Sequence, residues 1–264
     1  MIYLFAAIFV FVMGLCIGSF ANVCIYRLPL KKSIVSPGSS CPKCHTPIKP
    51  WHNIPILSFI LLGGKCKYCG AKISWRYPTV ELINGLLYLW AYYRLFYLDN
   101  NYAAYFAALY LSTVFLIIFL IDYDHRIIPD SLSVSGIVIG FAISFLPGNA
   151  VNWLGSLIGI LVGGGLFLGV AELGDRIFKK ESMGGGDIKL AAMIGAFIGW
   201  KGILLTLGIG SLLGVLIGGT ALIFAKDKTA ARTIPFGPYL VTAALITFYW
   251  GEKLIRAYLD LVRL

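Results

Sequence analysis

The sequence predicts an all-α protein that crosses a membrane several times, and three observations support this fold class. Hydrophobic residues make up 59% of the 264 residues and charged residues only 13%, whereas roughly a quarter are charged in soluble proteins. The mean hydropathy is +0.84. The apolar residues also fall into separate runs, most of them close to the length of about 20 residues that a helix needs to cross a bilayer.

Eight transmembrane helices are predicted, near residues 3–24, 79–98, 103–121, 131–147, 153–173, 188–200, 202–225 and 235–250. The first run has no basic region before it and further spans follow, so we expect a retained helix rather than a cleaved signal peptide. The chain then divides into a first helix (1–24), a loop (25–78) and a seven-helix membrane region (79–264). Glycines repeat every four residues in two spans, at positions 155, 159 and 163 and at 210, 214 and 218, and predict closely packed helices.

The net charge of +10 is concentrated beside the predicted spans. The loop 25–78 carries nine Lys or Arg and no Asp or Glu, which marks it as cytoplasmic and favours contact with anionic lipid headgroups over nucleic acid. Eight spans then put both termini outside the cytoplasm. The later loops on the cytoplasmic side carry Arg126, Arg176, Lys179, Lys180, Lys226, Lys228 and Arg232, in agreement with this orientation, although the basic C-terminal tail does not follow it.

Four cysteines in the same loop form two Cys-x-x-Cys pairs, Cys41 with Cys44 and Cys66 with Cys69. This spacing is typical of a tetrahedral zinc site that takes two sulfurs from each of two tight turns. Two disulfides are the alternative, which a reducing cytoplasmic loop disfavours. Because four sulfurs leave no open position, we expect a structural zinc ion, with His45 and His52 outside its ligand set.

Two aspartates are the candidate catalytic residues. Asp122 follows the apolar run 111–121, and Asp187 follows three glycines, including Gly184 and Gly186, at the start of a predicted helix. A carboxylate at the edge of a hydrocarbon segment is costly unless it is paired, solvated or protonated, so each is a functional candidate. At one membrane face they would form a pair that shares a proton and activates water. The glycines permit a positive φ and a close approach by backbone or substrate.

The neighbours of Asp122 have simpler explanations. Pro129 turns the chain back, Asp130 suits the N-cap of the returning helix, and Asp124 is expected to be a solvated loop residue. Lys189 is not expected to pair with Asp187. Serine hydrolase, zinc protease and phosphate-binding motifs are missing from the sequence. A proton- or cation-coupled transporter and a non-catalytic assembly scaffold remain alternatives, since membrane aspartates also form ion sites.

The chain resembles the bacterial prepilin peptidases, or type IV leader peptidases, along its whole length. The matching stretches are 18–23 (Gly-Ser-Phe-Ala-Asn-Val), 26–29 (Tyr-Arg-Leu-Pro), both cysteine pairs, 76–78 (Arg-Tyr-Pro) with Glu81, 121–130, 184–190 and 234–240. The resemblance implies a Gly-x-Gly-Asp aspartic protease in the bacterial cell membrane. Such enzymes remove the basic leader of prepilins and pseudopilins of type IV pili and type II secretion at the cytoplasmic face.

The resemblance also carries roles to particular residues. The two catalytic aspartates of the family correspond to Asp122 and Asp187. The cysteine loop is typical of family members that also methylate the new N-terminus with S-adenosylmethionine. The sequence does not reveal which residues bind that donor. Four family-matching residues are candidates either for methyl transfer or for packing and interfacial anchoring: Gly18, Asn22, Arg27 and Glu81. Which aspartate holds the proton also stays open at this point.

Overall fold

The computed structural model describes residues 1–179, 183–220 and 235–262. Over these residues the predicted all-α fold is confirmed, and the only extended pairings are two isolated β-bridges in the cysteine loop. The helices are α1 (Ile2–Arg27), α2 (Leu57–Leu61), α3 (Arg76–Ala91), α4 (Tyr102–His125), α5 (Asp130–Ile143), α6 (Trp153–Phe178), α7 (Gly185–Leu213) and α8 (Gly237–Val262). Short π-helical segments extend α3 over Tyr92–Leu98 and α7 over Gly214–Gly218.

Within the described part of the chain, four helices are long and apolar enough to cross a membrane: Ile2–Arg27, Tyr102–His125, Trp153–Ile177 and Gly185–Gly218. Helix α5 is apolar but shorter. The protein is therefore a helical protein of membrane-like composition, while the full count of eight spans stays a prediction. Residues 221–225 of the seventh predicted span lie outside the described residues, as do Lys180, Lys226, Lys228 and Arg232.

Helix α7 is broken where two separate spans were predicted to meet. Gly199 has φ 68 and ψ −179, values that only glycine adopts readily, so the helical path before it and the path after it differ in direction. The prediction had placed the boundary between residues 200 and 202. The two predicted hydrophobic runs thus correspond to the two segments of α7 on either side of the break at Gly199.

The residues from Met1 to Ile117 form one compact unit, in which α1 packs along α3. The backbones approach closely because both surfaces carry glycine: a Cβ on Gly14 would lie 2.9 Å from the Cα of Gly85. Buried Asn84 strengthens this contact by donating to the Gly14 carbonyl at 2.8 Å, and it accepts a hydrogen bond from the Thr113 hydroxyl at 3.1 Å. These buried polar groups are therefore satisfied within the unit.

The residues from Ile118 to Leu264 form a second compact unit, built around α7, which contacts α5, α6 and α8. The glycine ladder predicted in the span 153–173 is confirmed as a packing surface, because side chains on Gly159 and Gly163 would overlap carbonyl oxygens of α7. The second glycine ladder, at positions 210, 214 and 218, leaves more space between the helices. A Cβ on Gly210 would lie 3.6 Å from Ala243 and Leu240 of α8, which is ordinary van der Waals contact.

Candidate active site and metal centre

Asp122 lies in the last turn of α4 and is only 5% exposed. Its carbonyl accepts a hydrogen bond from the Arg126 amide at 2.9 Å, and Arg126 takes a left-handed conformation with φ 56, which ends the helix. The chain then turns over residues 126–129 and returns as α5, as predicted. A carboxylate at a helix C-terminus meets the negative end of the helix dipole, so Asp122 needs a donor from elsewhere.

That donor is the backbone of Gly237, the first residue of α8. Its N–H donates to Oδ2 of Asp122 at 3.0 Å, so a carboxylate at the end of one helix is held by the free amide at the start of another. A Cβ at position 237 would lie 2.5 Å from the same oxygen, so any other residue would displace the carboxylate. Gly237 belongs to the family-matching stretch 234–240, but the sequence analysis did not single it out.

Asp187 is the third residue of α7 and is half-buried. Gly184 occupies the N-cap position, where its carbonyl accepts a hydrogen bond from the Asp187 amide at 3.1 Å. None of the three preceding glycines uses the positive φ that glycine permits. What the structure uses instead is the missing side chain of Gly186, since a Cβ there would lie 3.0 Å from that of Ile128 in the turn after Asp122.

The structure brings the two predicted aspartates together in the second unit. Gly186 packs against Ile128, and the Asp122 carboxylate lies close enough to Asp187 for their charges to interact. Two carboxylates that interact in this way do not ionise independently, and the pair tends to keep one proton over a range of pH. The two carboxyl groups therefore form one candidate active site.

The other residues of the two motifs have structural partners. Pro129, rather than the predicted Asp130, occupies the N-cap position of α5, because Asp130 already has the conformation of the first helical residue. The Asp130 carboxylate instead forms an ion pair with Nζ of Lys189 at 2.7 Å, which joins the start of α5 to α7. This agrees with the expectation that Lys189 does not pair with Asp187. Asp124 is exposed, as predicted, but it lies in the last turn of α4 rather than in a loop.

The four cysteines converge in the first unit, as their spacing predicts. Their Sγ atoms all lie within 4.8 Å of one another, and those of Cys41 and Cys69 are 3.9 Å apart. Sulfurs at the corners of a tetrahedron around zinc are about 3.8 Å apart, given Zn–S bonds of about 2.3 Å. The cysteines are free thiols, so the disulfide alternative is not met. The cluster has the donor set and the dimensions to hold a metal ion.

The two Cys-x-x-Cys turns share one backbone design. The His45 amide donates to the Cys41 carbonyl at 2.8 Å, and the Gly70 amide donates to the Cys66 carbonyl at 3.0 Å. Both donors have positive φ, 56 for His45 and 69 for Gly70, as a tight turn beneath a metal requires. His45 therefore contributes its backbone to the first turn in the way that Gly70 contributes to the second.

Hydrogen bonds within the turns favour the thiolate form of Cys44 and Cys66, whereas desolvation and the neighbouring thiols raise the pKa of Cys69 to about 11. A hydrogen bond from the Thr46 side chain lowers the pKa of the Cys44 thiol to about 6, and the backbone N–H of Cys69 lowers the pKa of Cys66. The His52 ring packs edge-on against the rings of Trp51 and Tyr68, with centroids 6.3 and 6.1 Å away. These ring contacts form part of a small folded module around the cysteines.

Of the family-matching residues in the first unit, Asn22 joins α1 to the start of α3, while Arg27 and Glu81 hold the cysteine loop on the helices. Asn22 donates to the Tyr77 carbonyl at 3.1 Å. Arg27 donates to loop carbonyls of Ser33, Pro37 and Gly38, and Glu81 accepts from the Ile56 amide at 2.8 Å. Each therefore has an anchoring role, whatever else it does.

The apolar helices, the converging aspartates and the cysteine cluster together define a narrow class of proteins. Comparison with protein families identifies that class. Residues 12–95 match the bacterial peptidase A24 N-terminal domain, and residues 109–219 match the type IV leader peptidase family. The chain belongs to the type IV leader peptidase family. The resemblance inferred from the sequence motifs is thus confirmed.

Curated relatives named prepilin leader peptidase/N-methyltransferase match over most of their length. The Stutzerimonas stutzeri protein is 35% identical over 276 residues, covering 96% of this chain and 93% of the relative. The Pseudomonas aeruginosa protein is 35% identical over 271 residues, with 94% and 91% covered. The Myxococcus xanthus protein is 39% identical over 227 residues, with 86% and 66% covered. No solved structure matches the chain.

Proposed function

We propose that this protein removes the basic leader peptide from type IV prepilins and pseudopilins and then methylates the new N-terminal amine. Membership of the leader peptidase family, with relatives named for both activities, supports the proposal and gives no support to the transporter alternative. The observation that carries the proteolytic part is the convergence of Asp122 and Asp187 in one unit, with Asp122 held by the Gly237 amide. Peptide hydrolysis by a carboxylate pair needs two carboxyl groups that lie close together and differ in protonation.

Hydrolysis proceeds by general acid–base catalysis without a covalent intermediate. The ionised aspartate removes a proton from a water molecule held between the two carboxyl groups, and the protonated one donates a hydrogen bond to the scissile carbonyl. The water oxygen bonds to the carbonyl carbon as its proton leaves, the C–N bond then breaks, and the leaving amine takes up the proton that the base removed from water. The Gly237 N–H donates to the Asp122 carboxylate and stabilises its negative charge, which supports Asp122 as the ionised base and Asp187 as the acid.

The membrane arrangement follows from the same proposal. We assign eight spans, with both termini outside the cytoplasm and the aspartates near the cytoplasmic face of the bacterial cell membrane. A basic leader would then remain in the cytoplasm, while the apolar helix of the substrate lies in the bilayer beside the enzyme. The cysteine cluster takes a structural zinc ion, because its four sulfurs complete a tetrahedral shell and leave no position for substrate.

Methyl transfer requires a donor, which we assign as S-adenosylmethionine. When bound, it supplies an activated methyl group that passes from sulfur to nitrogen, and the amine releases one proton. The chain's own part is to bind the donor, to present the new N-terminus in its neutral form and to exclude water from the reacting atoms.

A two-product assay tests the proposal. The purified full-length protein is incubated in lipid nanodiscs with a synthetic prepilin and S-adenosylmethionine carrying a labelled methyl group, and peptides are analysed by mass spectrometry. We expect free leader peptide and a mature peptide one methyl group heavier. The double variant Asp122→Asn/Asp187→Asn is the blank and should give neither product. Intact prepilin after incubation with the wild-type protein would contradict the proposed peptidase activity.

A further inference from the structure

A cleft with a volume of about 350 Å³ opens beside the C-terminal half of α1 in the first unit. Its walls are the α1 residues Cys16, Ser19, Phe20, Val23 and Arg27, the loop residues Ile34, Val35, Pro37, Gly38 and Ser39, and Asn53 with Pro55. Neither the aspartate pair nor the cysteine cluster contributes to this lining. The volume lies at the lower end of the range for small-molecule sites, roughly 300–1,000 Å³.

Arg27 gives the cleft a positive charge that no acidic side chain neutralises. Its guanidinium donates to the carbonyls of Ser33 at 2.9 Å, Pro37 at 2.7 Å and Gly38 at 3.4 Å. These carbonyls fix the position of the side chain without cancelling its charge. Among the described residues Arg27 takes part in no ion pair, and the sequence contains no Asp or Glu before position 81. A fixed guanidinium of this kind is suited to a ligand carboxylate.

Glu81 places a carboxyl group behind the same cleft. It is 8% exposed, and its Oε2 accepts a hydrogen bond from the Ile56 amide at 2.8 Å. The Ser19 hydroxyl, which lines the cleft, also hydrogen-bonds to the Glu81 carboxyl group. Glu81 is the only acidic residue among the first 98 in the sequence, so the cleft lies between one isolated cation and one isolated carboxyl group.

The rest of the lining combines apolar walls with small polar groups. Val23, Ile34 and Pro55 offer apolar surface, while Ser39 and Asn53 offer hydroxyl and amide groups. A ligand that matches this cleft has a carboxylate, a nearby positive charge, a flat apolar ring and hydroxyl groups. S-adenosylmethionine has all four, in its amino-acid carboxylate, its sulfonium and ammonium charges, its adenine and its ribose.

We propose that this cleft binds the methyl donor, with Arg27 holding its carboxylate and the cationic part facing Ser19 and Glu81. The assignment rests on the methyl transfer in the proposed function and adds a site to it. It also gives the family-matching residues Arg27 and Glu81 a role beyond anchoring the loop. The residues that line the cleft belong to the first unit, and the two aspartates belong to the second.

Direct binding of labelled S-adenosylmethionine tests the assignment without relying on turnover. Equilibrium dialysis is carried out with full-length protein in nanodiscs. We expect Arg27→Gln to raise the dissociation constant about 10- to 100-fold, the usual effect of losing a hydrogen-bonded charge. Lys32→Gln is the matched control, because Lys32 belongs to the same segment but lies over the Tyr26 ring rather than in the cleft. It should bind as the wild type does.

A second variant decides the matter if Arg27→Gln fails to fold. Gly38 lines the cleft, and a Cβ there meets no atom within 4 Å, so Gly38→Phe adds bulk without a backbone clash. It should weaken donor binding at least about 10-fold. Gly165→Phe is its control, because Gly165 is equally unobstructed and lies in α6 of the other unit.

The outcomes separate this site from the function on which it rests. Wild-type binding together with unchanged binding in Gly38→Phe would overturn the cleft assignment and leave the peptidase untouched. Wild-type protein that cleaves prepilin but does not bind the labelled donor would overturn both the donor and its site. Weakened binding in Gly38→Phe, with both controls unaffected, supports the assignment.

Discussion

The cysteine centre and the aspartate centre both join residues that are distant in sequence, but they are built in different ways. In the cysteine centre each half is a closed local turn, with His45 or Gly70 bonded back to the first cysteine of its pair. In the aspartate centre the contacts that position the two segments come from distant parts of the chain. Asp122 depends on the amide of Gly237, and the Asp187 segment depends on contact between Gly186 and Ile128.

This difference indicates how each centre should respond to change. A site made of local turns needs a metal ion to join its halves, and it is insensitive to the packing of distant helices. A site made by helix termini needs no ion of its own, but a displacement of about 1 Å is enough to damage it. The two centres also lie in different compact units. We therefore expect changes that damage one centre to leave the other largely intact.

Gly237→Ala is expected to have the largest effect on the aspartate centre while it leaves the cysteine centre unchanged. The added methyl group would lie 2.5 Å from Oδ2 of Asp122, so the carboxylate has to move and its hydrogen bond is lost. We expect leader cleavage to fall about 100-fold, the usual size of a small misplacement of a catalytic group. The measurement is kcat/KM on a synthetic prepilin, with bound metal determined in parallel and expected to be unchanged.

Gly210→Ala is the matched control for that substitution. A Cβ at position 210 makes only ordinary contacts, at 3.6 Å, with the same helix α8. This variant should cleave within about threefold of the wild type, since exposed or well-accommodated substitutions have small effects. Equal losses in the two variants would mean that α8 packing in general, rather than the Gly237 contact, supports cleavage.

Metal removal should produce the converse result. Without an ion to join its turns, the cysteine loop is expected to open, so that trypsin cuts at Lys43, Lys65 and Lys67 at least about tenfold faster. Leader cleavage should change by less than about tenfold, because the aspartates lie in the other unit. Limited proteolysis after chelation, followed by zinc addition, gives both readings.

A cysteine outside the cluster checks that result. Cys44→Ser should reproduce the effect of chelation, whereas Cys24→Ala should not, because Cys24 is a buried residue of α1 that does not belong to the cluster. If the loop of Cys44→Ser resisted trypsin as well as that of the wild type, the metal would have no structural role.

The smallest effect is expected from Lys189→Gln. Lys189 is two residues from Asp187, but it pairs with Asp130, and both side chains are substantially exposed, at 42% and 63%. Such surface ion pairs contribute about 0–1 kcal/mol, so cleavage should stay within about threefold of the wild type. A loss as large as that of an aspartate variant would place the Lys189 ammonium in the active site.

The features that could be predicted from the sequence are those that depend on neighbouring residues in the chain. The four cysteines were identified from spacing alone, because each pair is closed by its own backbone. Asp122 was separated from Asp124 and Asp130 by its position at the end of an apolar run, and the structure finds it buried. The break at Gly199 was expected within two residues, because the two hydrophobic runs meet there.

The features that the sequence did not reveal all depend on contacts between distant segments. Gly237 looks like any glycine at a helix start until α8 is packed against α4. The pairing of Asp130 with Lys189 requires α5 and α7 to lie side by side, and without it the sequence suggested only a capping role for Asp130. The glycines before Asp187 suggested positive φ, whereas the contact of Gly186 with Ile128 is what requires a missing side chain.

The central claim is that Asp122 and Asp187 act as one proteolytic pair, and single substitutions test it most directly. Initial rates of leader release are compared for Asp122→Asn, Asp187→Asn and the neighbouring control Asp124→Asn, all full-length and inserted in lipid. Because general acid–base catalysis contributes about 10²–10⁴ in rate, each of the first two should lose at least about 100-fold, while Asp124→Asn stays near the wild type. Cleavage at a near wild-type rate by either Asp122→Asn or Asp187→Asn would contradict the account.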